Sequence, residues 1–169
     1  MSGSDIFVTN YFNSSTTPGT GFIGEYTTSG STVNTSLVSG LDNPSGIAVS
    51  GSDIFVAITG GSGSINEYTT AGVTVGTGTL ISSGLTEPEG IAVSGSDLFV
   101  DNFAGLNAGA GSIGEYTTSG LTVSGTLVSG LNSPFGIAVE PVPEPSTWAL
   151  LAIAGAGSLL ILRRRRAKT

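Results

Sequence analysis

The side chains that most often perform catalysis are absent from this 169-residue sequence. It contains no histidine and no cysteine, so it lacks the commonest general base, the commonest transition-metal ligand and any thiolate. The remaining candidates are carboxylates and amides, the oxygen ligands that suit calcium. Asp101 and Asn102, which directly follow an apolar run, form one such oxygen-only pair. We therefore predict no catalytic residue and take this pair as the candidate for a calcium ion.

A solvated or turn-capping role competes with calcium binding at Asp101 and Asn102. The equivalent positions in two other copies of a repeated unit, described below, are Thr9-Asn10 and Ala57-Ile58. Only one unit therefore carries the carboxylate, and calcium takes several oxygen ligands. The sequence favours the solvated or turn-capping role, and we expect no cofactor and no bound metal.

Charge is sharply divided along the chain. All five basic residues lie within 163–168, whereas residues 1–142 hold eleven acidic residues and no lysine or arginine. Such a strongly acidic body repels phosphate backbones, so nucleic acid is excluded as a partner. Its stability must come from packing and backbone hydrogen bonds rather than from ion pairs.

Internal repetition dominates the first 140 residues. Three short segments recur in the same order, with copies 42 to 48 residues apart. They are Gly-Ser-Asp-(Ile/Leu)-Phe-Val at 3–8, 51–56 and 95–100, Ile-(Gly/Asn)-Glu-Tyr-Thr-Thr at 23–28, 65–70 and 113–118, and Pro-x-Gly-Ile-Ala-Val at 44–49, 88–93 and 134–139. We divide the body of the chain, 1–140, into units 3–50, 51–94 and 95–140.

Each unit has the pattern of four short antiparallel strands. β-branched and aromatic residues fill the strands, and Ser-Gly and Thr-Thr-Ser-Gly mark the turns. The strands at 90–93 and 97–100 are apolar on both faces, which is typical of strands covered on both sides. Units of about 40–50 residues with four strands are typical of β-propeller blades.

The pattern Leu-x-x-Pro-x-Gly-Ile-Ala-Val-x-x-x-Asp-(Ile/Leu)-Phe-Val resembles the blade repeat of NHL-type six-bladed propellers. The resemblance covers residues 3–140 and implies an all-β fold of three four-stranded blades. Closed propellers have about 4–8 blades, so we expect an open or truncated propeller. The first unit starts without its Pro-x-Gly-Ile-Ala-Val strand, and the last copy ends with that strand at 134–139. Open ends expose strand edges, which favours association with another copy.

Two residue types recur within Glu-Tyr-Thr-Thr. For the glutamates we expect a structural or solvated role, and for the tyrosines packing is favoured over an aromatic stripe for sugars. These residues are Glu25, Glu67, Glu115, Tyr26, Tyr68 and Tyr116.

The last 29 residues, 141–169, have three parts. Residues 141–147 are a proline-rich linker, 148–162 are fifteen residues without charge, and 163–169 are a basic tail. Fifteen helical residues span roughly 22 Å, and an interfacial tryptophan and snorkelling arginines extend that reach across a membrane. We therefore predict a transmembrane helix at 148–162. Its anchoring residues are Trp148, Leu150, Leu151, Ile153, Leu159, Leu160, Ile161 and Leu162. The residues expected to stay on the cytoplasmic side are Arg163, Arg164, Arg165 and Arg166.

This three-part pattern resembles the PEP-CTERM sorting signal of Gram-negative bacteria. The motif that carries the resemblance consists of Val142, Pro143, Glu144, Pro145 and Ser146. The resemblance implies recognition by an exosortase, a membrane-embedded transpeptidase-like enzyme, and cleavage near Pro143-Glu144-Pro145. It also implies a cell-surface or extracellular destination and an association with exopolysaccharide, biofilm matrix or other envelope components.

Three functions follow as hypotheses. The leading one is a non-enzymatic exported envelope or matrix protein that is anchored briefly by its tail. The second is a metal-dependent propeller enzyme, lactonase-like or lyase-like, delivered by the same signal. The third is a simple tail-anchored interaction module. Members of the resembled family begin with a signal peptide, whereas residues 1–5 have no basic or apolar segment, so we expect the natural N-terminus to lie upstream.

Overall fold

The computed structural model describes residues 5–11, 19–105 and 108–140. Eleven strands occur within these ranges, and no helix does. They are β1 (Asp5–Asn10), β2 (Gly21–Thr27), β3 (Thr32–Leu41), β4 (Pro44–Ser50), β5 (Asp53–Ile58), β6 (Ser64–Thr69), β7 (Thr74–Ile81), β8 (Pro88–Ser94), β9 (Asp97–Asn102), β10 (Gly111–Thr117) and β11 (Thr122–Leu131).

The strands form three antiparallel sheets in which neighbours along the chain are neighbours in the sheet. The first sheet has the order β1-β2-β3, the second β4-β5-β6-β7 and the third β8-β9-β10-β11. The prediction of an all-β body with three antiparallel sheets is confirmed. The first sheet differs from the predicted four strands because its described residues begin at the strand Asp5–Asn10, the equivalent of β5 and β9.

Repeated local sequence produces repeated hairpins. In each sheet the threonine that follows Glu-Tyr donates its N–H to a carbonyl four residues later, as Thr27 does to Ser31 at 2.8 Å. The hydroxyl of the same threonine accepts the N–H of that later residue. Gly30, Gly72 and Gly120 occupy the left-handed region of backbone space at these turns, where a Cβ is unfavourable. Glu-Tyr-Thr-Thr-x-Gly therefore specifies a tight turn.

The sheets pack face to face and enclose two apolar clusters. One cluster joins the first and second sheets around Ile23, Ile54 and Val56. The other joins the second and third sheets around Phe55, Leu98 and Val100. Strand β5 contributes to both clusters and is buried from Ile54 to Ile58. The predicted burial on both faces is seen at β5, whereas in the strands at 90–93 and 97–100 Ala92, Val93 and Phe99 are half-buried.

Residues 134–140 differ from the prediction. Their sequence repeats that of β4 and β8, but they form no strand and pair with no strand among the described residues. A strand requires a hydrogen-bonded neighbour, and β4 and β8 obtain theirs from β5 and β9. The described part of the chain offers residues 134–140 no such neighbour.

The resemblance to NHL-type blades stays a prediction, as does the division at residues 50, 94 and 140. Within the described ranges, no helix has the length and apolar character needed to cross a membrane. The predicted transmembrane helix at 148–162 lies outside those ranges.

Candidate functional site

A cavity of the described body lies where the first residues of β4 and β8, which we call inner strands, meet residues 135–137. We call it the inner groove; it encloses about 630 Å³. Three Pro-x-Gly-Ile segments form its walls, and the end of β1 closes one side. Its lining residues are Thr9, Tyr11, Pro44, Ser45, Gly46, Ile47, Glu89, Gly90, Ile91, Phe135, Gly136 and Ile137.

Side-chain hydroxyls connect the sheets across this groove. The Thr9 hydroxyl donates to the Ser45 carbonyl oxygen at 2.5 Å. The Ser45 hydroxyl donates to the Glu89 carbonyl oxygen at 2.5 Å. Each bond links one sheet to the next, so two polar backbone atoms of the groove are already occupied by the protein itself. These contacts stabilise the stack and leave fewer acceptors for a ligand.

Glycines allow the inner strands to approach closely. A Cβ on Gly46 would collide with the Glu89 carbonyl oxygen and lie 3.0 Å from Gly90 Cα. A Cβ on Gly90 would collide with the Asp101 carboxylate and lie 2.9 Å from Gly136 Cα. At Gly46 and Gly90 the glycine is therefore required by the spacing of the sheets rather than by a turn, whereas a Cβ at Gly136 would meet nothing within 4 Å.

Aromatic rings lie at the rim of the groove. Phe135 is 73% exposed, and its ring meets that of Phe103 edge to face with centroids 6.5 Å apart. Tyr11 is also exposed at the opposite side. These rings offer an apolar surface that the repeats do not predict, because Phe135 occupies the variable position of Pro-x-Gly-Ile-Ala-Val and Tyr11 lies outside the repeated motifs.

The chemistry of the inner groove is limited. Glu89 is the one carboxylate in its described lining, and neither a second acid nor a basic side chain accompanies it. General acid–base catalysis needs a proton donor and acceptor placed on a substrate. The described lining therefore supplies an apolar binding surface with one acid and does not pair two catalytic groups.

Asp101 lies at the end of β9, beneath the groove, and is 1% exposed. Its Oδ1 accepts the backbone N–H of Gly90 at 2.8 Å. Its Oδ2 is buried without a hydrogen-bond partner among the described residues. The expectation of a solvated role is wrong for this residue, because the sequence did not show that β8 and residues 134–137 cover it.

Asn102 is also buried, at 3% exposure, so a solvated role is wrong here too. Its Oδ1 accepts the N–H of Thr86 at 2.8 Å, and its Nδ2 donates to the Ser112 hydroxyl at 3.5 Å. The first of these bonds holds the loop that leads into β8. Asn102 therefore has a structural role in holding this loop, and the turn-capping role expected from the sequence stays a prediction.

The calcium prediction requires several oxygen ligands around Asp101. Calcium takes six to eight, and the described residues contain no group of three acidic side chains placed to hold a metal ion. The unpartnered Oδ2 supplies one oxygen, whereas the Asn102 oxygen is already bonded to Thr86. The described residues do not supply a full set of calcium ligands, and the expectation that no metal is bound stays a prediction.

The repeated tyrosines pack between sheets, as the sequence predicts. Tyr116 is fully buried and donates its hydroxyl to the Gly84 carbonyl oxygen at 3.1 Å. Burial raises the pKa of this phenol. Tyr68 is buried at the equivalent position, whereas Tyr26 is half-buried because no further sheet covers the first one within the described chain. The arrangement gives no aromatic stripe for sugars at Tyr68 and Tyr116.

Glu67 lies on β6 opposite Phe55. Partial burial raises the pKa of its carboxyl above the usual 4.5, and the Asp53 carboxylate raises it further. No cation in the described residues offsets this, because the body contains no lysine or arginine. Ionised Glu67 therefore lowers the stability of the folded chain.

We expect Glu67→Gln to stabilise the protein at neutral pH and to lose this advantage as the pH falls towards 4.5. The folded chain binds the Glu67 proton more tightly than the unfolded chain does. The wild type therefore gains stability as the pH falls through the raised pKa, whereas the glutamine variant does not. Urea midpoints measured from neutral pH down to 4.5 check this. Glu115→Gln, the same change in the third sheet, is the comparison, and a pH-independent difference between E67Q and wild type would contradict the assignment.

The sorting-signal residues lie outside the described part of the chain. This applies to the motif at 142–146, the predicted anchor at 148–162 and the arginines at 163–166. Their assignment therefore depends on sequence comparison and not on geometry.

Comparison with protein families supports the C-terminal assignment. Residues 141–166 match the family model described as the PEP-CTERM protein-sorting motif. The match indicates an exported protein that an exosortase processes at the membrane on its way towards the cell surface. It covers the tail and not the β-sheet body. None of the curated proteins compared with this chain matches it.

Proposed function

We propose that the chain is a non-enzymatic envelope or extracellular-matrix protein of a Gram-negative bacterium, trimmed by an exosortase near Pro143-Glu144-Pro145. The observation that carries the proposal is the match of residues 141–166 to the sorting motif. The β-sheet body is the cargo, and the tail is the part that the sorting machinery reads.

The physical chemistry of the tail supports a brief anchoring step. Fifteen uncharged residues precede four arginines. Arginine is costly to move through a membrane centre, by about 2.5–3.5 kcal/mol each. The arginine block therefore stops transfer, leaving the acidic body outside and holding residues 143–145 near the outer surface for cleavage.

A binding or structural role of the body is supported by its chemistry. The inner groove pairs Glu89 with no second catalytic group in its described lining. Exposed rings such as Phe135 and Tyr11 suit contact with sugars or other envelope components. Exopolysaccharide is accordingly the partner class that we propose for the mature protein, alongside the exosortase.

A metal-dependent propeller enzyme carried by the same signal is the competing function. It requires several ligands to converge on one ion, and the described residues supply one orphaned carboxylate oxygen at Asp101. Lactonase assays with added calcium on the purified protein distinguish this function from the structural one.

The test of the proposal is co-expression of the full chain with an exosortase. We expect removal of the tail, seen as a loss of mass and release from the membrane fraction. Replacing Pro143, Glu144 and Pro145 together by alanine should abolish trimming because the recognised segment is lost. Pro141→Ala, a proline change adjacent to the motif, should leave trimming intact.

Two results would contradict the proposal. One is a tail that stays attached equally with active and inactivated exosortase. The other is equal trimming of the triple-alanine variant and the wild type, which would favour a protease that ignores the motif.

A further inference from the structure

Residues 134–140 have the sequence of an inner strand and occupy the place of one. The segment Pro134 to Val139 repeats Pro44 to Val49 and Pro88 to Val93. The residues before the three prolines share one backbone conformation, with φ of 52° at Asn43, 48° at Glu87 and 48° at Ser133. The chain therefore turns into all three segments in the same way.

Contacts with the sheets repeat as well. A Cβ on Gly21, Gly63 or Gly111 would collide with, or closely approach, the proline ring of Pro44, Pro88 or Pro134 respectively. A Cβ on Gly90 would lie 2.9 Å from Gly136 Cα, and one on Gly46 would lie 3.0 Å from Gly90 Cα. Residues 134–137 thus lie against the third sheet as β8 lies against the second and β4 against the first.

This segment lacks the partner that its equivalents have. Strand β4 pairs with β5, and β8 pairs with β9, in one repeated register. Residues 134–140 have no strand partner within the described ranges. They therefore have the sequence and the position of the first strand of a fourth sheet, and no described strand pairs with them.

Strand β1 lacks, among the described strands, the second neighbour that its equivalents β5 and β9 have. It has the sequence of β5 and β9, but it pairs only with β2, and no other described strand lies at its second edge. Ile6 and Val8 are 44% and 39% exposed, whereas the equivalent Ile54 and Val56 are 0% exposed. Among the described residues, the first sheet therefore has no equivalent of β4 or β8 and no neighbouring sheet on this face.

The outer face of the third sheet is the matching surface. Leu127 and Val128 are exposed there, whereas the equivalent Ile81 in the second sheet is buried and Leu80 packs against the apolar cluster. Within the chain, the face of the second sheet that carries Ile81 packs on the third sheet. The face that carries Ile54 and Val56, the equivalents of Ile6 and Val8, packs on the first sheet. The packing between neighbouring sheets therefore indicates which surface covers the exposed face of the first sheet and which covers that of the third sheet.

We infer that two copies of this chain associate reciprocally, the third sheet of each packing on the first sheet of the other. Residues 134–140 of each copy pair antiparallel with β1 of the second copy. The register follows that of β4 with β5, and it sets Ile137 opposite Val8, Ala138 opposite Phe7 and Val139 opposite Ile6. The last position brings Glu140 beside Asp5, so the pairing is weakest there.

Two copies fit the geometry better than self-closure does. Together they hold six sheets, within the range of about 4–8 found in closed propellers, whereas one copy holds three. Each copy donates one strand and accepts one, which gives the self-complementary interface of a two-fold dimer. No strand edge of this kind is then left open to solvent.

Cysteine cross-linking tests the register directly, because the chain has no cysteine of its own. Full-length Val8→Cys and Ile137→Cys proteins, purified separately in mild detergent, are mixed and gently oxidised. We expect about ten times as much covalent dimer as in a mixture of Ile137→Cys with Thr32→Cys, because Thr32 lies on an outer strand far from the proposed partner. The Ile91→Cys/Val100→Cys double variant, which joins the same register position within one chain, shows that this geometry closes a disulfide.

Light scattering of the unmodified full chain tests independently whether it forms a dimer. The expected protein mass is twice the 16.8 kDa of one chain. A monomeric mass overturns the inference, as does cross-linking of the Val8–Ile137 mixture no greater than that of the Thr32 mixture. A Val8→Cys/Ile137→Cys double variant that closes within a single chain also overturns it, in favour of self-closure.

Discussion

Replacing Gly46 by alanine is expected to lower the free energy of unfolding by about 1–3 kcal/mol, the usual range for forcing atoms into a packed contact. The added Cβ would collide with the Glu89 carbonyl oxygen and lie 2.9 Å from the Ile91 nitrogen. Both atoms are backbone of the neighbouring sheet, so no side-chain rotation relieves the contact. β4 must move away from β8, and the second apolar cluster, around Phe55 and Leu98, opens with it.

Urea unfolding of the full chain in mild detergent, followed by far-ultraviolet circular dichroism, measures this change. Gly125→Ala is the matched control, because nothing lies within 4 Å of a Cβ added at that strand position. We expect the control to differ from wild type by at most about 0.5 kcal/mol, the usual limit for a surface substitution. Equal midpoints for the two variants would show that the close approach of the inner strands does not limit stability.

Replacing the four arginines at 163–166 by glutamine is expected to abolish exosortase trimming. Without these charges, transfer of the uncharged segment 148–162 is no longer stopped at the cytoplasmic face. The untrimmed chain should then lose its defined orientation, appearing in the wrong fraction or with its C-terminus open to external protease. Fractionation and intact mass, with an exosortase co-expressed, measure both effects.

The matched control keeps the charge and changes the side chain. Lysine at the same four positions should support trimming close to that of wild type, because either cation holds the segment on the cytoplasmic side. Efficient trimming of the glutamine variant would show that the motif alone directs processing. Failure of the lysine variant would show that the enzyme reads the guanidinium groups themselves.

Local repetition predicted most of the β-sheet body. Three copies of Glu-Tyr-Thr-Thr-x-Gly specify three hairpins, and continuous apolar strands such as Ile54-Phe55-Val56 specify burial on both faces. These features depend on residues close together in the sequence. The number of sheets and their antiparallel order are therefore predictable from the sequence.

Features that depend on contacts between repeats could not be predicted. Asp101 follows an apolar run like many exposed turn residues, but its cover comes from the Gly90 N–H and residues 134–137. Residues 134–139 have a strand sequence without a strand partner, because pairing is a property of two segments and not of one. The inner groove likewise brings together residues from separate units, and no single motif contains its aromatic rim.

The tail was predictable for a different reason. A sorting signal is read by a membrane and an enzyme in linear order, so its motif, apolar stretch and arginines are contiguous. Comparison with families confirms the sorting motif at 141–166. The exosortase as the cutting enzyme follows from that match, whereas a biofilm role stays a prediction.

The second sheet holds both apolar clusters, whereas the first and third sheets share none. Each sheet is therefore stabilised only by its immediate neighbours. We expect local unfolding to begin in the first and third sheets and to reach β5 last. A gene duplication that inserts another unit would add one further contact between neighbouring sheets without disturbing the rest. In the inferred dimer, the two sets of three sheets form a closed ring. Every sheet then has two neighbouring sheets, and no terminal sheet remains at which unfolding can begin.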